Sequence, residues 1–266
     1  RIFATGSWDC QCCVWNAYSI LNKGGNGGNG GNVGNVESAG DMSASATNTD
    51  VKDTHLICTI AGFQGWVKSI DMKGGIRNGQ LIVGIDDGAV HSYAFNALIS
   101  EEQIDSIAKG VLIHNANADN DGTSTTSSSR VLQCGLPLHV HNGAVNSVKY
   151  GMQGNCIASC SDDTTVKVWD INANAVKYVL DETCGRDAVN DIEWGGMNND
   201  VLYVGGADKL IRIFNGQNRD LLCTLGGHED EVTCIVTIPN KKGTQFVTGS
   251  ADGTQRFWSL NLDEFM

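Results

Sequence analysis

Apolar residues in this chain come in short runs rather than in helical stripes. Val232-Thr233-Cys234-Ile235-Val236, Phe246-Val247-Thr248 and Phe257-Trp258 are each a few residues long, rich in β-branched and aromatic side chains, and divided by turn-forming residues such as Asp252-Gly253. The pattern predicts antiparallel strands joined by hairpins. One sheet of this size cannot bury both its faces, so similar sheets must pack on either side of it.

The same pattern recurs, and the turn aspartates set its register. Asp163, Asp208 and Asp252 are 45 and 44 residues apart, within the period of about 40–45 residues of a four-stranded propeller blade. Asp9 and Asp87 join the series once two inserts of roughly 32–34 residues each are removed. The inserts are low-complexity tracts, GGNGGNGGNVGNV within 17–54 and NANADNDGTSTTSSS within 96–130. Their composition cannot bury enough apolar surface to order itself, so flexible tethers are expected, with a short helix over Ala97–Lys109. A glycine-rich phosphate loop is a poor reading of the first tract, which lacks the Lys-Ser/Thr ending and a flanking helix.

The repeats also carry a family signature. Gly227-His228, then Ser250-x-Asp252-x-Thr254, then a closing aromatic Trp258 resemble a WD40 repeat, and His141, Ser161, Asp163 and Trp169 resemble a second copy followed by Asp170, the Trp-Asp pair that names the family. The resemblance implies an all-β propeller with about five blades represented, the first and last incomplete, as part of a seven-bladed ring. It divides the chain into blade one (partial, 1–60), blade two (61–138, its outer strand near Val131–Leu138), blade three (139–180), blade four (181–225) and blade five (partial, 226–260). The chain is expected to be a piece of a longer protein, or to be completed by strands from another chain.

Histidine, serine and aspartate in that order resemble a hydrolase triad. Their repetition argues against catalysis, because the family resemblance assigns the residues to a buried hydrogen-bond network closed by the tryptophan: His141, Ser161, Asp163 and Trp169; His228, Ser250, Asp252 and Trp258; and Ser7, Asp9 and Trp15 in blade one. Blade two has Phe63, Ile85, Asp87 and Tyr93 at these places and blade four has Gly185, Gly206, Asp208 and Phe214, so both are expected to be weaker.

Composition narrows the function classes. With 30 acidic against 18 basic residues the net charge is −12, which disfavours nucleic-acid or anionic-membrane binding and leaves other proteins, with basic segments, as expected partners. No cofactor is implied. The ten cysteines lie mostly singly in apolar runs, which fits small buried hydrophobes in the reducing cytoplasm or nucleus. Cys134 with His139 and His141 makes a poor metal site for want of a fourth ligand. By resemblance, partners dock on the face formed by the loops leading into each blade and by the aspartate turns. Here that face carries Trp8, Gln64, Trp66, Asp86, Asp162, Arg186, Asp187, Glu229, Asp230 and Glu231. The function expected is a non-catalytic protein-interaction scaffold, with a hydrolase-like propeller enzyme or an RNA-binding propeller as alternatives.

Overall fold

The computed structural model describes residues 2–16, 56–75, 77–99, 130–181, 184–196, 200–238 and 244–261. Among the described residues nineteen strands form five sheets. The first holds β1 (Ile2–Gly6), β2 (Cys12–Asn16), β3 (Leu56–Ala61) and β7 (Arg130–Gln133); the second holds β4 (Val67–Lys73), β5 (Gln80–Ile85), β6 (Ala89–Ala94) and β8 (His139–Val140). The third is β9 (Val145–Gly151), β10 (Cys156–Ser161), β11 (Val166–Asp170) and β12 (Ala175–Leu180). The fourth is β13 (Val189–Gly195), β14 (Val201–Gly206), β15 (Ile211–Asn215) and β16 (Leu221–Leu225), and the fifth is β17 (Val232–Ile238), β18 (Gln245–Ser250) and β19 (Gln255–Ser259). The architecture is the all-β partial propeller that the repeats imply.

Each apolar run becomes a strand because alternate residues face neighbouring sheets. Between the first and second sheets lie Val14, Ile60, Val67 and Ile85; between the second and third, Ile82, Val90, Val145 and Val148; between the third and fourth, Val168, Ile192, Leu202 and Phe214; between the fourth and fifth, Tyr203, Ile213, Ile235 and Phe246. Tyr203 and Phe246 are fully buried with ring centroids 4.5 Å apart. Polar links also join the innermost strands: the Val148 amide donates to Ser69 Oγ (3.0 Å), the Tyr150 amide to Asp71 Oδ2 (2.7 Å) and the Ile235 amide to Asp191 Oδ2 (2.7 Å).

The five aspartate turns share one geometry. Asp9, Asp87, Asp163, Asp208 and Asp252 each accept, through Oδ1, the amide two residues on, at 2.8 to 3.2 Å. The residue after each is left-handed: Cys10, Gly88, Thr164, Lys209 and Gly253, with φ from 61° to 93°. The carboxylate closes an Asx turn that pins the hairpin, and so it survives in every repeat whatever the neighbouring chemistry has become.

The second blade differs from expectation at its outer edge. Val131–Leu138 does not form its outer strand. Arg130–Gln133 instead runs parallel to β3 on the first sheet, with Cys58 opposite Arg130 and Ala61 opposite Gln133, and only His139–Val140 pairs with β6. The amide of Cys134 donates to the Ala61 carbonyl (2.7 Å), that of Leu138 to the Val90 carbonyl (2.7 Å), and the chain thereby crosses from one sheet to the next within a few residues. A four-residue helix α1 (Phe95–Leu98) buries Phe95 and Leu98; the rest of the helix expected over 97–109, like nearly all of the two inserts, lies outside the described residues. Among the described residues no helix is long and apolar enough to cross a membrane.

Candidate partner-binding face

The histidines meet their aspartates across the base of the lead-in loops. His141 Nδ1 lies 2.9 Å from Asp163 Oδ2, and His228 Nδ1 lies 3.0 Å from Asp252 Oδ2. The same carboxylate oxygen accepts the amide of the residue after the histidine, Asn142 or Glu229, at 2.9 Å in both. The other oxygen accepts the hydroxyl of Thr165 (2.7 Å) or Thr254 (2.6 Å). Each aspartate therefore has both oxygens committed to the scaffold.

The hydroxyl on the other side of each ring is not the one expected from the sequence. His141 Nε2 pairs with Ser159 Oγ and His228 Nε2 with Thr248 Oγ1, both at 2.8 Å. Trp258 Nε1 donates to the same Thr248 oxygen at 2.8 Å, and Trp15 Nε1 donates to Thr5 at 2.9 Å rather than to Ser7. Ser7, Ser161 and Ser250 sit two residues further along their strands and accept the amides of Asp9, Asp163 and Asp252 at 3.3, 3.0 and 3.1 Å. The register explains the difference. Trp258 stands opposite Phe246, so Thr248 is its diagonal neighbour on the same face, while Ser250 lies about 7 Å further toward the turn.

Burial sets the protonation of this network. It lowers the His141 pKa against the pull of Asp163, so the ring is neutral at physiological pH, with its proton on Nδ1 facing the carboxylate. Burial also raises the Asp163 carboxyl, but hydrogen bonds from Thr165 and the Asn142 amide, with His141 beside it, outweigh this and hold the group down at about 2. A catalytic histidine needs one ring nitrogen available to a substrate, and both nitrogens of His141 and His228 are already paired.

Blades two and four lack this network, and blade four has replaced part of it. With Gly185 in the histidine's place, Arg212 donates through Nη2 to Asp208 Oδ2 at 2.6 Å, filling the carboxylate position that a histidine occupies elsewhere. The equivalent residue in blade two is His91, buried against Phe63 and Tyr93, and its Nδ1 has no hydrogen-bond partner among the described residues.

Above these networks the lead-in loops and aspartate turns of one blade end meet. The Asp86 amide donates to the Trp66 carbonyl, that of Asp162 to Ala144, that of Ala207 to Ala188 and that of Ala251 to Glu231, at 2.9 to 3.0 Å. Gln64, Asp162, Arg186, Asp187, Glu229, Asp230 and Glu231 are exposed there. Several are also tied down: Asp86 Oδ1 accepts the Trp66 amide (2.6 Å), Asp162 Oδ1 accepts Asn146 Nδ2 (2.6 Å), Glu231 Oε2 accepts Asn190 Nδ2 (3.3 Å), and Gln64 donates to the Gly62 carbonyl (3.3 Å). Trp8 and Trp66 remain 76% and 48% exposed.

The family description "WD domain, G-beta repeat" matches residues 1–16, 132–170 and 219–259, the stretches that hold the intact networks of blades three and five and the Trp15 contact of blade one. These are WD40 repeats. The chain is 30% identical over 106 residues to the WD40 repeat-containing protein HOS15 of Arabidopsis thaliana, covering 38% of this chain and 17% of that protein. It is also 30% identical over 125 residues to the nuclear distribution protein nudF of Aspergillus flavus, covering 46% and 27%. The chain thus spans well under half the length of either relative. In three dimensions it is similar to the computationally designed Ika4 protein, with a TM-score of 0.52 and 18% identity over 77% of this chain and 98% of that one, a likeness of fold alone. No subfamily follows from these WD40 likenesses.

Clusters of His, Cys, Asp and Glu suited to a metal ion are absent among the described residues. The thiol of Cys134 donates to the Gly62 carbonyl at 2.9 Å, and His141 is spent on its WD40 network. Burial pushes the thiols of Cys12 and Cys184 up to about 12 and that of Cys160 well above its ordinary value, which leaves them as small apolar side chains. Cys234 differs in being exposed on β17.

Proposed function

We propose that this chain is a non-catalytic docking scaffold that binds peptide or protein partners on its lead-in-loop face. WD40-repeat proteins act in general as protein-interaction scaffolds, and one observation carries the narrower reading here. The groups that resemble catalytic machinery are turned inward and consumed by structural hydrogen bonds, while aromatic and charged side chains with no such bond among the described residues, Trp8, Arg186, Asp187 and Glu229 among them, are exposed at the lead-in loops and aspartate turns. Exposed aromatics make good binding anchors, and the surplus of carboxylates favours a basic partner and opposes a phosphate backbone. The names of relatives such as nuclear distribution protein support an intracellular setting.

The test is affinity capture from native extract with the full-length protein, comparing wild type with a Trp66→Ala/Glu229→Lys variant whose fold is checked by circular dichroism. Loss of a specific set of proteins by the folded variant is the expected result. Retention of the same set would remove this face as the docking site.

A further inference from the structure

Trp8 and Trp66 do not merely lie on the same face; they meet. Their ring centroids are 5.2 Å apart and their planes 16° from parallel, so the indoles stack one over the other across the junction of the first two blades and present an outer aromatic face. Nothing in the fold asks for tryptophan at either place. Trp8 precedes its turn aspartate, where the other four blades have Asp86, Asp162, Ala207 and Ala251. Trp66 precedes its innermost strand, where the next three blades have Ala144, Ala188 and Glu231. Small or acidic residues satisfy the same backbone geometry in every sister repeat.

The surface is also held rigid. Asp86 clasps Trp66 twice, accepting its amide at 2.6 Å and donating its own amide to the Trp66 carbonyl at 3.0 Å. Gly65 makes room for this, since a Cβ there would stand 1.8 Å from Asp86 Oδ1. Trp8 rides on a closed turn in which the Ser7 amide donates to the Gln11 carbonyl and the Gln11 amide to Asp9 Oδ1, both at 3.1 Å. Below the rings the Val67 amide donates to the Ser7 carbonyl at 3.2 Å, locking the two blades together. Two large exposed side chains held in place lose little freedom when something binds them.

The neighbouring charges select the occupant. Asp9 follows Trp8 in sequence, and Asp86, with Asp87 next to it, is hydrogen-bonded to Trp66, while the lysine nearest in sequence, Lys68, reaches away to Asn146 Oδ1. A cation is therefore favoured over the rings, and a phosphodiester is opposed. Because the indoles are in contact with each other, they leave no slot between them for the round head of a methylated ammonium, which needs rings on several sides. A flat, electron-rich face suits a flat cation, and among side chains that is the guanidinium.

We propose that the Trp8–Trp66 pair is an arginine platform: the guanidinium of an arginine within a partner protein's basic segment stacks on the paired indoles beside the carboxylates of Asp9, Asp86 and Asp87. This rests on the docking reading above and names the chemistry of its anchor.

The experiment is a titration of the full-length protein, followed by the indole N–H signals in nitrogen-15 NMR, with a twelve-residue peptide of four Gly-Ser-Arg repeats at low salt. Matched probes are the same peptide with lysine, the same with trimethyl-lysine, and a twelve-nucleotide oligouridylate. The arginine peptide is expected to move the signals of Trp8 and Trp66 and to leave those of Trp15, Trp169 and Trp258 in place. The lysine peptide is expected to bind about fivefold more weakly, and Trp8→Leu or Trp66→Leu to weaken arginine binding by about five- to tenfold. Unmoved Trp15, Trp169 and Trp258 signals certify that a variant is folded; the arginine-to-lysine ratio on the wild type tests the proposal without any variant. Equal binding of lysine, tighter binding of trimethyl-lysine, or movement of the two indoles by the oligonucleotide alone would overturn it. If those results coincide with loss of captured partners by Trp66→Ala/Glu229→Lys, docking on this face stands and only the arginine anchor falls.

Discussion

Thr248→Val removes one hydroxyl while keeping the side chain's shape, and it separates the network found in the structure from the one the sequence suggests. Thr248 is completely buried, and its oxygen serves two partners at 2.8 Å, His228 Nε2 and Trp258 Nε1. The His228 side chain has no exposed surface, so its ring nitrogen would be left without a partner, at a cost of about 1–3 kcal/mol. Trp258 is only partly buried, so water can recover part of its N–H bond, and its loss adds about 0.5–1.5 kcal/mol. Replacing the hydroxyl by a methyl group returns up to about 1 kcal/mol of apolar burial, leaving a net loss of about 0.5–4.5 kcal/mol. Ser250→Ala is the matched control. That hydroxyl donates to the Asp230 carbonyl and accepts the Asp252 amide in a half-buried position, and its removal should cost about 1 kcal/mol. Equilibrium unfolding in urea, followed by tryptophan fluorescence, measures both. A larger loss from Ser250→Ala than from Thr248→Val would refute the assignment of Thr248 as the bridging group.

Three further outcomes are expected. The depressed pKa of His141 contributes stability that is complete above about 6.5 and is lost as pH falls below it, and that of Asp163 contributes stability complete above about 3.8 and lost toward about 2; unfolding midpoints should therefore fall from pH 7.5 to 5.5, with a smaller fall in His141→Gln, and greater wild-type stability at pH 5.5 would contradict the burial argument. Arg212→Met leaves the partly buried Asp208 without its cation and should cost about 1–2 kcal/mol, reduced from the value for a fully buried pair by solvent screening; a thermal melt showing no change would mean that blade four does not depend on this pair. Gly65→Ala forces the Asp86 carboxylate away from the Trp66 amide, so the exposed Trp66 should become more mobile, seen as reduced fluorescence anisotropy, while Thr5 and Trp15 stay paired.

The sequence and the structure agree most closely where one residue does the same job in every repeat. Asp9, Asp87, Asp163, Asp208 and Asp252 close the same turn in every repeat, so their spacing carries the register even through degenerate copies. The network hydroxyl was harder to place because two hydroxyl columns run two residues apart in the same strands: Thr5, Ser159 and Thr248 in one, Ser7, Ser161 and Ser250 in the other. Both point to the same face, and only the pairing of Phe246 with Trp258 shows which is within reach of the indole. Arg212 carries no distinguishing signal in the sequence for a related reason. Its position in the other blades holds Lys167, Arg256, His91 or Cys13, and only the missing histidine at Gly185 turns an ordinary surface cation into a partner for Asp208. The crossing of Arg130–Gln133 to the first sheet was illegible because an apolar run states that a strand forms and not which edge receives it.

Photo-crosslinking gives the most direct test of the lead-in-loop face as the docking surface. A benzophenone side chain placed at position 66 of the full-length protein is compared with one at position 153, which lies at the other end of the blades in the turn after β9. On irradiation in native extract, position 66 is expected to capture a defined partner and position 153 is not. Capture of that partner from position 153 alone would contradict docking on the lead-in-loop face and move the functional surface to the opposite face.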